Sequence, residues 1–317
     1  MAKAYCTDEQ FIQRWKETGG YLREIKESFG FGSNRAVDHR RVSIEKRHGI
    51  TLSSANPNST RHTETKRQNS RRITLALESG TILIGSDAHV WPGPLTTAQR
   101  GFHEIAKRLK PDVIVMNGDV FDGAKISRHP AGIWEQEIRP NVKQELDACS
   151  AFLDPLKAKH RIWTYGNHDA RFEYQLAAAN PEYAGVPGTA LKDHFPEWTF
   201  CMAVFVNDNL VIKHRYANGV HAAYNNAVKS GRSIVTGHLH SLKVTPWTDY
   251  NGTRYGVDCG TLADPESKQF DYSEENPANH RAGFVVLTIR DGKLLMPELV
   301  QVWDDDHIEF RGELIAV

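Results

Sequence analysis

Five short segments carry side chains that can bind a metal or move a proton: SDAHV (86–90), NGDVFDG (117–123), YGNHDAR (165–171), IKHRY (212–216) and TGHLHS (236–241). In each, the polar residues follow an apolar run of β character, so the chemistry is expected where strands end and loops begin. Strand ends are where an α/β sheet presents functional groups to a shared crevice. Carboxylate, carboxamide and imidazole groups together suit borderline divalent metals such as Mn²⁺, Fe²⁺, Ni²⁺ or Zn²⁺. Taken singly, a DxH or an HxH recurs by chance, and a lone buried histidine is more often a core residue than a ligand.

The elements that would position these groups begin after Arg72. Apolar runs predict strands at Ile73–Leu77, Thr81–Gly85, Asp112–Met116, Arg161–Tyr165, Val211–His214 and Ser233–Thr236. Helical spacing predicts a helix over Thr97–Leu109 and a longer one over Ile133–Leu156. Asn251-Gly252 and Asp291-Gly292 between alternating runs predict hairpins. The connections Asp122–Ile133 and Ala170–Thr199 are expected to frame the cleft, with Arg128, Arg171 and Tyr174 available for phosphate contacts, salt bridges or packing.

The order DxH, GDxxD, GNHD, strand-end His and GHxH resembles the calcineurin-like metallophosphoesterases over about Ile82 to Ser241. The resemblance implies a two-sheet α/β sandwich (αββα) with both sheets converging on two divalent ions, Mn²⁺ first among them. It implies Asp87, His89 and His240 on one ion, Asn167, His214 and His238 on the other, and Asp119 as the bridge. A carboxylate suits the bridge because its two oxygens serve two cations and its charge offsets their repulsion. His168 resembles the family's catalytic histidine and Asp122 its orienting partner. A hydroxide between the ions would attack phosphorus in line, while His168 would act on the leaving oxygen.

His214 departs from the family pattern, which commonly places Gly after this histidine where Arg215 stands here, and His221 is its nearest competitor. His39, His103, His129, His160, His194 and His280 match no motif position and read as surface or core residues. GDVFDG and GNHD differ from the GDxVDRG and RGNHE of the protein phosphatases and lack their paired arginines. They look closer to the phosphodiesterase and DNA nuclease branches, so a phosphodiester, and DNA in particular, is the expected substrate. The alternatives are a small-molecule or protein phosphomonoesterase, and a DNA-binding or assembly protein with a vestigial site.

Residues 1–72 carry 15 Lys/Arg against 8 Asp/Glu, a net of +7, and the other 245 residues carry −7. Such asymmetry suggests that the front meets a polyanion. Helical patterns at Asp8–Lys16 and Tyr21–Phe29, a Gly30-Phe31-Gly32 turn, an N-cap at Ser33 and a basic helix over Asn34–Arg47 resemble a helix-turn-helix-like module spanning 1–50. Arg35, Arg40, Arg41, Lys46 and Arg47 are its candidate phosphate contacts. Residues 51–72 read as a flexible basic linker before the phosphoesterase domain at 73–317. A helix-turn-helix-like front on a metallophosphoesterase resembles bacteriophage and prophage proteins. Cys6, Cys149, Cys201 and Cys259 form no CxxC pair and are expected as reduced thiols. No apolar run approaches the roughly 20 residues of a bilayer span, and the first ten residues lack a secretory h-region, so a cytoplasmic location without membrane contact is expected.

Overall fold

The computed structural model describes residues 6–52, 71–127, 139–183, 185–267, 269–270 and 278–317. Chain contacts divide it into two compact units, residues 1–68 and 69–317. Most of the linker expected at 51–72, and Arg128 and His129, lie outside the described residues.

In the first unit, α1 (Asp8–Glu17), α2 (Leu22–Phe29) and α3 (Asn34–His48) start and stop where capping chemistry dictates. The Thr7 hydroxyl accepts from Gln10 N and the Gln10 side chain returns to Thr7 N, a capping box, while Ser33 accepts from Ala36 N. Gly30 ends α2 at φ 68°, a left-handed conformation that costs glycine least. The helices enclose Phe11, Trp15, Ile25, Phe31, Val37, Ile44 and Leu52, all buried.

The second unit is a sandwich of two sheets. The larger, nine-stranded among the described residues, contains β2 (Gly80–Gly85), β3 (Val113–Met116), β4 (His160–Thr164), β5 (Thr199–Cys201), β11 (Gly283–Arg290), β12 (Lys293–Leu294), β13 (Glu298–Val302), β14 (His307–Phe310) and β15 (Glu313–Ala316). Its order is 15-14-13-11-2-3-4-5, with β12 paired to β11. The six-stranded sheet contains β1 (Arg72–Leu75), β6 (Ala203–Val206), β7 (Leu210–Ile212), β8 (Ser233–Thr236), β9 (Leu242–Asp249) and β10 (Gly252–Cys259), in the order 1-6-7-8-10-9. Both predicted Gly-containing turns form hairpins, β9–β10 and β11–β12.

Period-two alternation decides the layers. Ile82, Ile84, Val113, Val115 and Ile162 point between the sheets and meet Val204, Ile212, Val235 and Val257. Leu83, Ile114, Met116 and Trp163 point outward into a second core under α4 (Thr97–Leu109) and α5 (Val142–Leu153). Helices α6 (Asp169–Ala179), α7 (Leu191–His194) and α8 (Ala222–Ser230) complete the αββα arrangement, α8 lying on β8–β10. No helix among the described residues is long and apolar enough to cross a membrane. The four cysteines are buried free thiols.

One expectation needs correction. The helix predicted over Ile133–Leu156 is not continuous: residues 133–138 lie outside the described residues, and α5 starts afresh at Val142 because Asn141 caps it, its side chain accepting from Gln144 N at 3.0 Å while Gln144 reaches back to Asn141 N at 2.9 Å. Pro140 just before the cap also has no N–H to give a helix. The connection Ala170–Thr199 carries most of α6, a 3₁₀ turn at Pro181–Tyr183 and α7.

Candidate metal centre

The parallel strands β2, β3 and β4 end side by side, and their loops continue the pairing. Asp87 N donates to Gly118 O (2.9 Å) and His89 N to Asp119 O (3.0 Å), so the DxH loop runs beside the GD loop. Asp87, His89, Asp119, His238 and His240 all adopt left-handed backbone, with φ between 38° and 72°. Non-glycine residues rarely do so, and each such residue costs on the order of 1–3 kcal/mol.

Glycine is required where backbone passes the carboxylates. A Cβ on Gly166 would land on Asp119 Oδ1 and 2.5 Å from Asp119 N, and one on Gly237 would meet Ser86 Oγ and lie 2.6 Å from Asp87 Oδ2. The GNH and GHxH glycines are therefore the space that Asp119 and Asp87 occupy.

Three groups of possible ligands result among the described residues: Asp87, His89 and His240; Asp119, His214 and His238; and His89, Asp122 and His168, which shares His89 with the first. Nε2 of His214 lies 3.1 Å from Asp119 Oδ2 and 4.0 Å from Asp87 Oδ1, and Nε2 of His240 lies 3.2 Å from Asp87 Oδ1. Asp87 Oδ1, His89 Nε2, Asn167 Oδ1, His214 Nε2 and His240 Nδ1 are buried with no hydrogen-bond partner among the described residues. A buried polar atom left unpaired costs about 1–3 kcal/mol. Several lone-pair atoms converging at ligand-to-ligand spacing fit one kind of partner, a cation with N/O preference. The other faces are anchored: His238 N and Ser86 Oγ donate to Asp87 Oδ2, and Nδ1 of His214 lies 2.7 Å from Asn117 O. His221, the competitor to His214, is the exposed residue preceding α8 and belongs to none of these groups.

Next to the first group, Nδ1 of His168 lies 2.6 Å from Asp122 Oδ1, the pairing expected of them. The same oxygen lies 3.1 Å from His89 Nδ1, and Trp91 Nε1 donates to Asp122 Oδ2 at 2.7 Å. Asp122 thus orients two imidazoles, one of them a candidate ligand. Arg171 Nη1 donates to Asp122 O (2.9 Å), and Nη2 lies 3.1 Å from His168 Nε2. Tyr174 is exposed on α6.

Sequence reasoning missed the supports of these loops. Asp169 is fully buried and accepts from Asp119 N, Val120 N, Phe121 N, Gly166 N and Trp163 Nε1 at 2.8–3.1 Å. Burial and the charge of Asp119 push its pKa up to about 6, leaving it a carboxylate at neutral pH with the charge its donors need. Glu145 on α5 accepts from Gly123 N and Ala124 N and so fixes the loop after Asp122. His280, taken as a bland histidine, stacks obliquely on His240 with ring centroids 4.5 Å apart, and burial and His240 pull its pKa down to about 4. GNHD contained the one available signal, since its Asp169 had no assigned task.

Electrostatics asks for cations. Burial would raise the pKa of Asp87, but His214 and His240 more than offset it and hold it at about 2. Burial would lower that of His214, but Asp119 and Asp87 raise it to about 10 without metal. The protonated imidazole therefore contributes stability below its unfolded pKa, lost as pH rises through about 10. A metal ion must displace that proton, so loading should strengthen with pH, by about tenfold per unit for one proton. Calorimetric titration with Mn²⁺ in buffers of different ionisation heat at neutral pH should show about one proton released from His214 per chain; no release would remove His214 from the ligand set.

A calcineurin-like phosphoesterase family model matches residues 80–258, more than half the chain. The chain belongs to the calcineurin-like phosphoesterase family. It is a metal-dependent phosphoester hydrolase. This phosphoesterase is similar to the gene 54 protein of Mycobacterium phage D29, at 30% identity over 228 residues covering 61% of this chain and 82% of that one. It is similar also to the gene 54 protein of Mycobacterium phage L5, at 28% over 214 residues with the same coverage. Among solved structures, vacuolar protein sorting 29 from Cryptosporidium parvum aligns with 76% of this phosphoesterase and 100% of its own length, at 13% identity and a TM-score of 0.42.

In the helical unit, three of the candidate DNA contacts are already engaged. Arg40 donates to Asp8 (2.7 Å) and to Cys6 O (3.0 Å), Arg41 pairs with Asp38 (2.7 Å) and Glu45 (2.6 Å), and Arg47 pairs with Asp8 (3.1 Å). These guanidinium groups tie α3 to α1 or to itself. Arg35 and Lys46 are exposed, with no ion pair among the described residues.

Proposed function

We propose that the chain is a dinuclear phosphodiesterase acting on DNA, with Mn²⁺ as its first-choice metal and the host cytoplasm, given the phage relatives, as its site of action. The observation that carries the metal reading is the set of buried ligand-type atoms on Asp87, His89, Asn167, His214 and His240 with no hydrogen-bond partner among the described residues. Asp87, His89 and His240 would hold one ion, Asn167, His214 and His238 the other, and Asp119 would serve both. Zn²⁺, Fe²⁺ and Ni²⁺ suit the same donors. Two bound cations would supply Lewis acidity at the phosphoryl oxygens and an activated water.

The chain's own groups supply the rest. Asp122 and Arg171 hold the His168 ring from two sides, beside His89 at 4.5 Å between ring centroids. That ring is the group assigned to a leaving oxygen, which would take the place of Arg171 at Nε2. The phosphodiester preference is supported by GDVFDG and GNHD without paired arginines, and DNA by the basic front.

A substrate panel with Mn²⁺ tests the reading: a nitrophenyl monoester, its bis-ester, and single-stranded and duplex DNA. Faster turnover of the bis-ester and DNA than of the monoester is expected; preference for the monoester would overturn it. Deleting residues 1–68, which spares β1, should weaken duplex binding and flatten its salt dependence, about −0.9 per neutralised phosphate, while hydrolysis of the bis-ester holds. Unchanged DNA affinity at several salt concentrations would make the helical unit a protein-docking element.

A further inference from the structure

Two cations flank the candidate ligand His214 with no carboxylate to neutralise them among the described residues: Lys213 before it and Arg215 after it. The hydrogen bond from Gly237 N to His214 O (2.9 Å) lays this segment along the GHxH loop, so the chain leaves His214 beside His238. Arg215 is exposed, and Tyr216 next to it exposes 47% of its surface. The Lys213 ammonium stands 5.2 Å from the centre of the Tyr216 ring.

Neighbouring like charges repel, and a half-buried one loses water that would have screened it. The arrangement costs free energy until an anion enters. The scissile phosphate is served by the candidate metal ligands, so a further pair of cations outside them suits a different phosphate. An exposed tyrosine beside them offers a face on which a base can stack, as in single-strand binding sites. Arg215 is also where this sequence departs from the glycine that its family commonly has.

We propose that Lys213, Arg215 and Tyr216 form a subsite for the phosphate next to the scissile one, with a nucleobase on Tyr216, which makes the substrate a nucleic-acid strand and not an isolated diester. This rests on the phosphodiesterase reading above. In the full-length, Mn²⁺-loaded protein, Arg215→Gln should lower kcat/KM on a short oligothymidylate about tenfold or more, chiefly through KM, as expected for one charge-assisted contact. The loss on bis(4-nitrophenyl) phosphate, which has a single phosphate, should be several-fold smaller. Tyr216→Ala should show the same substrate dependence. The salt dependence of oligothymidylate binding should shrink by about 0.7 in slope for Arg215→Gln, a change that a merely structural role would not produce. Equal losses on both substrates, or none on the oligonucleotide, would overturn the subsite. Should the wild type hydrolyse neither diester, the phosphodiesterase reading fails separately, and oligothymidylate binding decides the subsite: weaker binding by both variants supports it, and unchanged binding ends it.

Discussion

His168→Ala is expected to lower phosphodiester turnover roughly 10²–10⁴-fold, the usual worth of a positioned acid or base, while the protein keeps its metal. The imidazole is held by Asp122 at Nδ1 and met by Arg171 at Nε2, an arrangement that fixes ring orientation at the edge of the candidate centre. Its contact with the bridging candidate runs through backbone: His168 N donates to Asp119 Oδ1 at 2.7 Å, and alanine preserves that bond. Asp122 also remains anchored, by Trp91 and His89. Rate and metal content should therefore separate. Wild-type rates would pass the role to another residue, and loss of an ion would place His168 among the ligands.

Asp119→Ala should have the largest effect, removing turnover down to background and most of the bound metal. Its two oxygens face different tasks, Oδ1 taking the His168 N–H and Oδ2 lying 3.1 Å from His214 Nε2 in the second ligand group. Losing it removes a buried negative charge opposite His214 and the residue proposed to serve both ions. Asp119→Asn keeps the shape and deletes the charge. If charge is what holds the pair of cations together, the asparagine variant should load nearly as poorly as the alanine one. Metal analysis of the two variants side by side separates charge from shape.

The candidate centre was legible because ligand chemistry is local: Asp87 and His89, or His238 and His240, need only their residue types, a spacing of two and a preceding apolar run. The family order then tied the segments together. Strands β2, β3, β4 and β8 were legible because runs buried on both faces of a sheet leave continuous apolar sequence. What escaped was non-local. Asp169 satisfies N–H groups 48–50 residues away, and Glu145 satisfies two others 21–22 residues away, so no periodicity or motif spacing announces either. His280 reaches His240 only because the strands fold back. In α3, sequence shows how many arginines there are but not that Asp8, at the start of α1, gathers Arg40, Arg47 and His48.

The two-ion claim meets its most direct test in elemental analysis of the full-length protein after loading with Mn²⁺ and removal of free metal, read together with phosphodiester turnover before and after chelation. The ligand groups Asp87–His89–His240 and Asp119–His214–His238 predict close to two ions per chain and activity that disappears with the chelator and returns with Mn²⁺. A chain that binds no ion, or that hydrolyses the diester equally well once stripped, would contradict it.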